Sequence, residues 1–322
     1  MTQSQINPTV YEAAQQTAVF ADRSQLGVIK ITGESRLDLL DRMSTQAVKR
    51  LSSGAGTATI LTTEIGRIID RIILYASSDT VYALTSEEHA DQLAGYLMQF
   101  VFFNDDFHME DVSAETAVFA VYGPRADEML QTLGFPEVDL PLHHWRQVTL
   151  NDLTLYLHRS DPIIGHGYYL MGRADDKEAM RQLLLDHGFL FADEAAFDYL
   201  RIRAGLPRFS HELTLDYIPL EANLWEDVSF NKGCYIGQEI IARLESRGRL
   251  AKQLIKLAPV QPVTPGTDIL ANGKTVGTIT SAAVGPDGSV ALGYVKTAVL
   301  PTDESDPPAL YAGDILLELA SP

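Results

Sequence analysis

Twice in this chain a strand-like run stops at a glycine and opens into helical periodicity, and the two occurrences lie 90 residues apart. Leu26–Thr32 ends at Gly33, after which Leu37, Leu40, Met43, Ala47 and Leu51 fall near one helical face. Val118–Tyr122 ends at Gly123, and Pro124 then opens a helix that includes Ala126, Met129, Leu130 and Leu133. Proline suits a first helical turn, where its missing N–H would have had no partner. After the first unit come strand-like Thr57–Thr62, Ile68–Tyr75 and Val81–Thr85, and a helix over Glu87–Val101. After the second come Leu153–His158 and Tyr168–Gly172, and a helix near Asp175–His187. A divergent duplication of a mixed α/β unit accounts for this. Two unrelated strand–turn–helix units would look the same, so both readings stand.

A helix over Glu194–Ala204 closes this part, and Gly205–Asn231 has so little periodicity that it reads as a loop-rich binding wall. From about Leu250 the texture changes to short β-like runs punctuated by Pro265-Gly266, Asn272-Gly273 and Gly285-Pro286-Asp287-Gly288. Asn-Gly and Asp-Gly are hairpin turn signals, so a small β-barrel or sandwich is expected there. Pro301–Pro308 reads as an exposed loop. The expected division is 1–249 and 250–322, in line with a soft prior of about 150 residues per domain.

The chain has 43 Asp and Glu against 25 Lys and Arg, a net charge of −18, so a general nucleic-acid-binding surface is disfavoured. Its one cysteine, Cys234, excludes an intramolecular disulfide and any multi-cysteine metal or cluster site built by one chain. No metal site is expected. Met1–Asn7 carries no apolar signal core, and no apolar run approaches the roughly 20 residues that span a bilayer. A soluble, cytoplasmic protein without membrane partners is expected.

Phosphate-loop, zinc-protease and nucleophile-elbow signatures are absent, and Gly165-x-Gly167 lacks the third glycine of a dinucleotide fingerprint. His143-His144 reads as a surface turn. The informative stretch is Lys232-Gly233-Cys234-Tyr235-Ile236-Gly237-Gln238-Glu239. Its glycines let the backbone turn tightly, and Lys232 and Arg243 are cations that could favour a thiolate if they lie close. A buried, inert Cys234 is the competing reading. Arg243, Arg247, Arg249, Lys252 and Lys256 form a basic run suited either to an anionic ligand or to a solvated face. Asp70, among isoleucines, is either on an exposed strand face or buried with a partner such as Arg67 or Arg71.

These residues resemble the YgfZ family. Lys-Gly-Cys-Tyr-x-Gly-Gln-Glu stands complete at Lys232–Glu239, flanked by Leu200–Pro207, Ile218–Glu221 and Arg243. Weaker similarity to the related glycine-cleavage T-protein covers Gly33 and its helix, Gly66-Arg67 with Asp70, Tyr122–Pro124 and the β-rich tail. The resemblance implies an α+β fold, a ring of duplicated ferredoxin-like units around a central folate opening with a C-terminal β-barrel. It implies tetrahydrofolate or a one-carbon derivative as cofactor, and iron–sulfur client or assembly proteins as partners, tRNA-modifying cluster enzymes included. Cys234 and Asp70 would be the functional groups. Asp70, Arg203, Glu221, Lys232, Tyr235, Gln238 and Arg243 would surround the folate. The alternative is T-protein-like aminomethyl transfer. Against it, the second acid of the T-protein Asp-Asp pair is Arg71, the pterin-binding glutamate is Arg203, and a later Tyr-Gly is Phe209-Ser210. A cation cannot accept the paired N–H donors of a pterin as a carboxylate does.

Overall fold

Residues 6–301 and 307–320 are described by the structure, a computed structural model. The expected loop at Pro301–Pro308 and the Met1–Asn7 segment therefore lie largely outside the described residues.

The doubled grammar corresponds to a doubled topology. Leu26–Thr32, Gly56–Thr62, Ile68–Ala76, Thr80–Glu87 and His108–Asp111 form a five-stranded antiparallel sheet. Arg36–Met43 follows its first strand in sequence and Ala90–Met98 follows its fourth. The second unit repeats the order with strands Thr116–Gly123, Trp145–Leu150, Leu153–Arg159, His166–Arg173 and Leu190–Phe191, and helices Ala126–Leu133 and Lys177–Asp186. Its sheet differs by one insertion: Val19–Asp22, preceded by helix Pro8–Gln16, lies between the first and last strands of the repeat. The duplication is thus a pair of ferredoxin-like units.

Both repeated glycines are required by sterics. Gly33 and Gly123 have φ +100° and +147°, and a Cβ would meet the carbonyl oxygen of Asp106 at 2.2 Å or of Thr17 at 2.3 Å. The repeated strand-to-helix turn is therefore a packing device, with another chain segment against its back.

In each unit the helices cover one sheet face. Leu39, Leu40, Met43, Leu93 and Leu97 pack on Ile29, Ile31, Leu61, Ile72 and Leu74 in the first, and Ala126, Leu130, Met180 and Leu184 on Phe119, Val121, Leu155 and Leu157 in the second. The opposite faces meet each other through Val28, Ile73, Tyr75 and Leu84 on one side and Val118 and Met171 on the other, while Ala120 and Tyr122 of the second sheet pack under helices Pro8–Gln16 and Glu194–Ala204. Helix Glu194–Ala204 leads into 205–231, which contains no helix or strand. The tail is a closed six-stranded barrel, with strands Lys252–Pro259, Asp268–Ala271, Lys274–Gly285, Gly288–Lys296, Leu310–Ala312 and Ile315–Leu319. Asn272 and Gly273, with φ +50° and +72°, make the tight hairpin their dipeptide predicts.

Several local expectations need correction. The first helix stops at Met43 instead of running to Leu51. The Asp41 carboxylate takes the N–H groups of Val48 and Lys49, folding that segment back, so Val48 is buried and Ala47 is exposed. Pro124 precedes its helix, which begins at Ala126. His143 is buried with φ +63°, its N–H donating to the Arg159 carbonyl, so it is no surface turn. Helix Gln238–Arg247, starting inside the cysteine motif, had no periodicity-based expectation.

His158 lies between the sheets, its ring 4.0 Å from that of Tyr75, and neither ring nitrogen has a partner. Burial pushes its pKa down to about 3. The unfolded chain takes up this proton near pH 6.5, so stability falls with pH below that value at about 1.4 kcal/mol per unit. His158→Phe keeps a ring in place and should gain on the wild type as pH falls from 6.5 towards 4.5. Urea titrations at pH 7.5 and 5.0 check this, and parallel pH slopes would contradict it.

Candidate functional site

Sheet alternation sends adjacent residues of Ile68–Ala76 in opposite directions. Arg71 lines a cavity of about 370 Å³ that also takes its walls from strand Thr80–Glu87, from 160–169 of the second unit, from helix Glu194–Ala204 and from the loop after it. Asp70 does not line this cavity.

Arg71 is gripped from two sides. Its Nε donates to Asp227 Oδ2 at 2.6 Å and its Nη2 to Asp161 Oδ2 at 2.8 Å. Burial pulls the guanidinium pKa down, but the two carboxylates outweigh it and hold Arg71 charged. Burial likewise pushes Asp161 up, yet Arg71 holds it below the usual carboxylate range. A second ionic group lines the same cavity. Arg23 pairs with Glu87 and, at 2.8 Å, with Glu194; Arg208 meets the same two acids at 2.9 and 2.6 Å. The Arg23 guanidinium also lies 4.1 Å above the Phe197 ring. The polar walls thus offer fixed, internally neutralised hydrogen-bond donors and acceptors.

Asp70 sits one layer behind the wall. Fully buried, it accepts from the Ser86 N–H at 3.2 Å and the Ser86 hydroxyl at 2.5 Å, with His89 Nδ1 at 3.0 Å. Ser86 and Phe209 line the cavity, and the His89 ring lies 4.4 Å from Phe209. Asp70 therefore braces lining residues, and neither Arg67 nor Arg71 is its partner: Arg67 donates to the Asp216 carbonyl. Arg203 lies outside the cavity, paired with Asp287 at 2.7 Å and 5.6 Å from the Tyr11 ring. Glu221, within the loop, is buried, its carboxylate accepting from the Ile218 N–H at 3.3 Å and its pKa raised by burial.

The cysteine motif forms a separate feature. The Lys232 ammonium is turned inward onto the carbonyls of Asp41, Ser44 and Gln46, at 2.5, 2.9 and 2.9 Å, just past the end of the first helix. Tyr235 is buried, which pushes its hydroxyl pKa up to about 12. Gly237, with φ +84°, caps the helix that Gln238 begins, and a Cβ there would meet the Thr63 carbonyl oxygen at 2.7 Å. Between these anchors Cys234 is exposed, which excludes the buried reading of the thiol. Arg243 pairs with Glu239 on its own helix, and Lys252 lies 4.3 Å from the Tyr217 ring, so these two cations of the basic run serve separate partners. Among the described residues no group of His, Cys, Asp and Glu is arranged to hold a metal, and no helix is long and apolar enough to cross a membrane.

The structure thus joins Lys232, Cys234, Tyr235 and Gln238 in one pinned turn and leaves Asp70, Arg203, Glu221 and Arg243 apart from it. Asp161, Asp227, Arg23, Glu87 and Arg208 had escaped sequence reasoning. Their only local signal is position: Asp161 precedes Pro162 and Asp227 lies in the loop-rich stretch.

Arg71→Met removes the partner of two carboxylates and should cost about 3–5 kcal/mol at neutral pH. In the wild type the Asp161 contribution is complete above the unfolded carboxylate pKa and is lost as pH falls through the lower folded value. In the variant burial dominates, so acidification relieves the penalty. The stability gap should be widest at pH 7.5 and narrow by pH 4; denaturant titrations giving equal gaps would refute the assignment. Lys232→Met orphans three carbonyls and should lower stability by about 1–3 kcal/mol, read as a drop in Tm.

The GCVT N-terminal domain family matches residues 6–232. Among curated relatives, a chloroplastic "putative transferase" of Arabidopsis thaliana is 28% identical over 86% of this chain, which spans 65% of that protein's length. Aminomethyltransferases of Symbiobacterium thermophilum and Halalkalibacterium halodurans are 29% and 27% identical, over 89% and 86% of this chain and 81% and 77% of theirs. The crystal structure of the glycine cleavage system aminomethyltransferase T of Bartonella henselae superposes with a TM-score of 0.85 at 22% identity, covering 99% of this chain and 90% of that one. The fold is that of the T-protein, and the chain belongs to the GCVT N-terminal domain family.

Proposed function

We propose that this protein binds tetrahydrofolate or a one-carbon derivative in the cavity and, in the cytoplasm, supports the assembly or maintenance of iron–sulfur proteins, tRNA-modifying cluster enzymes among them. The observation that carries this reading is Arg71. At the cavity-facing position of its strand stands a guanidinium locked between Asp161 and Asp227, where group transfer would want a free carboxylate.

The residues present suit a reduced folate. The cavity volume of about 370 Å³ falls among small-molecule sites. Asp161 and Asp227 retain acceptor capacity for pterin N–H donors, in place of an acid at position 203, and Tyr169 and Phe197 supply aromatic surface. Bound folate would bring amine nitrogens able to carry one-carbon units. The iron–sulfur role rests on Cys234, presented to solvent from a turn that Lys232 and Gly237 hold in place. A single thiol per chain would need ligands from another molecule to hold a cluster.

Aminomethyl transfer is the second reading, favoured by the names of the bacterial relatives. It requires ammonia release from an aminomethylated lipoyl carrier protein, and turnover no faster than background would dismiss it.

Calorimetry with tetrahydrofolate should show micromolar binding, weakened at least tenfold by Asp161→Asn and unchanged by Cys234→Ala. Cys234→Ala should nevertheless fail to restore iron–sulfur enzyme activity in cells lacking the protein. No binding at millimolar ligand would overturn the folate reading, and full rescue by Cys234→Ala would make the thiol dispensable.

A further inference from the structure

A folate carries its charge at one end. The pterin ring is neutral and the glutamate tail brings two carboxylates, so a site for the whole molecule must place an anion as well as a ring. The first cavity has no cation to spare. Arg23, Arg71, Arg201 and Arg208 line it, and each is already bound to at least two carboxylates of the chain. A ligand carboxylate arriving there would displace one of them and strand an acid without its partner, which is costly where burial is deep.

A second cavity, of about 540 Å³, adjoins the first, and Gly205 and Asn223 belong to both linings. It lies between the end of helix Glu194–Ala204 and barrel strand Lys252–Pro259, which contributes Gln253, Ile255 and Lys256. The shared boundary is held in place. Asn223 Nδ2 donates to the Leu254 carbonyl at 2.9 Å, and its Oδ1 accepts from Gln253 Nε2 at 2.9 Å.

Lys256 stands at this boundary. A Cβ on Gly205 would lie 3.0 Å from the lysine Cδ and 3.9 Å from its Cε, so the stem runs along the glycine that both cavities share. Lys30, Lys49, Lys177 and Lys232 each pair with an acid. The half-buried Lys256 has neither an ion-pair nor a hydrogen-bond partner for its ammonium among the described residues. The Arg201 and Ile202 carbonyls at the end of the nearby helix already accept from Leu206 and Gly205, so they make no claim on it.

We propose that the second cavity is the subsite for the anionic tail of the folate, with Lys256 receiving a glutamate carboxylate. The assignment rests on the folate reading and deepens it. Asp161 and Asp227 recognise the ring, whereas Lys256 selects for the charge at the other end.

Calorimetry at pH 7.5 can compare tetrahydrofolate with its bis-amide, in which both glutamate carboxyls are carboxamides and the charge alone is lost. The wild type should bind tetrahydrofolate at least fivefold more tightly than the bis-amide, and the gap should narrow in high salt. Lys256→Met keeps the apolar stem; it should bring tetrahydrofolate down to the affinity of the bis-amide and leave the bis-amide unchanged. Lys256→Arg should restore the preference. Equal affinity of the two ligands for the wild type would overturn the tail subsite and leave the folate reading standing. A preference that survives Lys256→Met would overturn the assignment to Lys256. No binding of either ligand would overturn the folate reading itself, and this subsite with it. The wild-type comparison decides the matter should Lys256→Met fold poorly.

Discussion

Arg71 reaches out of the first sheet to Asp161 of the second unit and to Asp227 of the long loop, and the rest of the site depends on that grip. Three segments distant in sequence meet at one guanidinium. The loop end of this triad continues outward: Thr45 accepts the chain there, its hydroxyl donating to the Asp227 carbonyl at 2.6 Å and its own carbonyl receiving the Ser229 N–H. Lys232 then fastens the next residues to the same turn of the first unit. The cavity wall and the cysteine turn are thus successive parts of one strap. A buried ion pair is weak evidence for stability as such, because desolvation offsets much of its attraction. Its effect here is geometric, since each charge has only one well-paired position.

A comparable joint fixes the barrel. Arg201, 3% exposed, binds Glu212 at 2.8 Å and Ser281 at 2.8 Å, and Ser281 donates to the other oxygen of Glu212 at 2.6 Å. Tyr294 of the barrel donates to the Glu212 carbonyl and lies flat against Tyr217, with centroids 3.4 Å apart. Arg201 and Arg203 share one helix but serve different surfaces, the first inside this joint and the second on Asp287. Arg203, which the resemblance aligns with the T-protein's pterin-binding glutamate, lies outside the cavity.

What could be read in advance follows physical range. The glycine-terminated strands, their helices and the Asn272-Gly273 hairpin were legible because period and turn chemistry act over a few residues. The first helix was read too long because Leu51 does face the same core, though it reaches it from a loop held by Asp41. His143 was misread because no local rule buries a histidine; the neighbouring strands do. Asp70 left two readings open; the structure buries it, with Ser86 and with His89, which precedes the following helix, rather than with an adjacent arginine.

The amino-acid sequence by itself determined two strand–glycine–helix segments, the β-rich tail and the presence of a single thiol in a glycine-flanked turn, since all of these are local or compositional; that the two segments head one repeated topology was left to the structure. Only the tertiary structure decided that Arg71 and not Asp70 faces the cavity. Neighbours on a strand point oppositely, and which face becomes a wall depends on where the helices pack. It also decided the partners of Arg71, which stand 90 and 156 residues away, because charges pair by proximity in space and no spacing rule connects them.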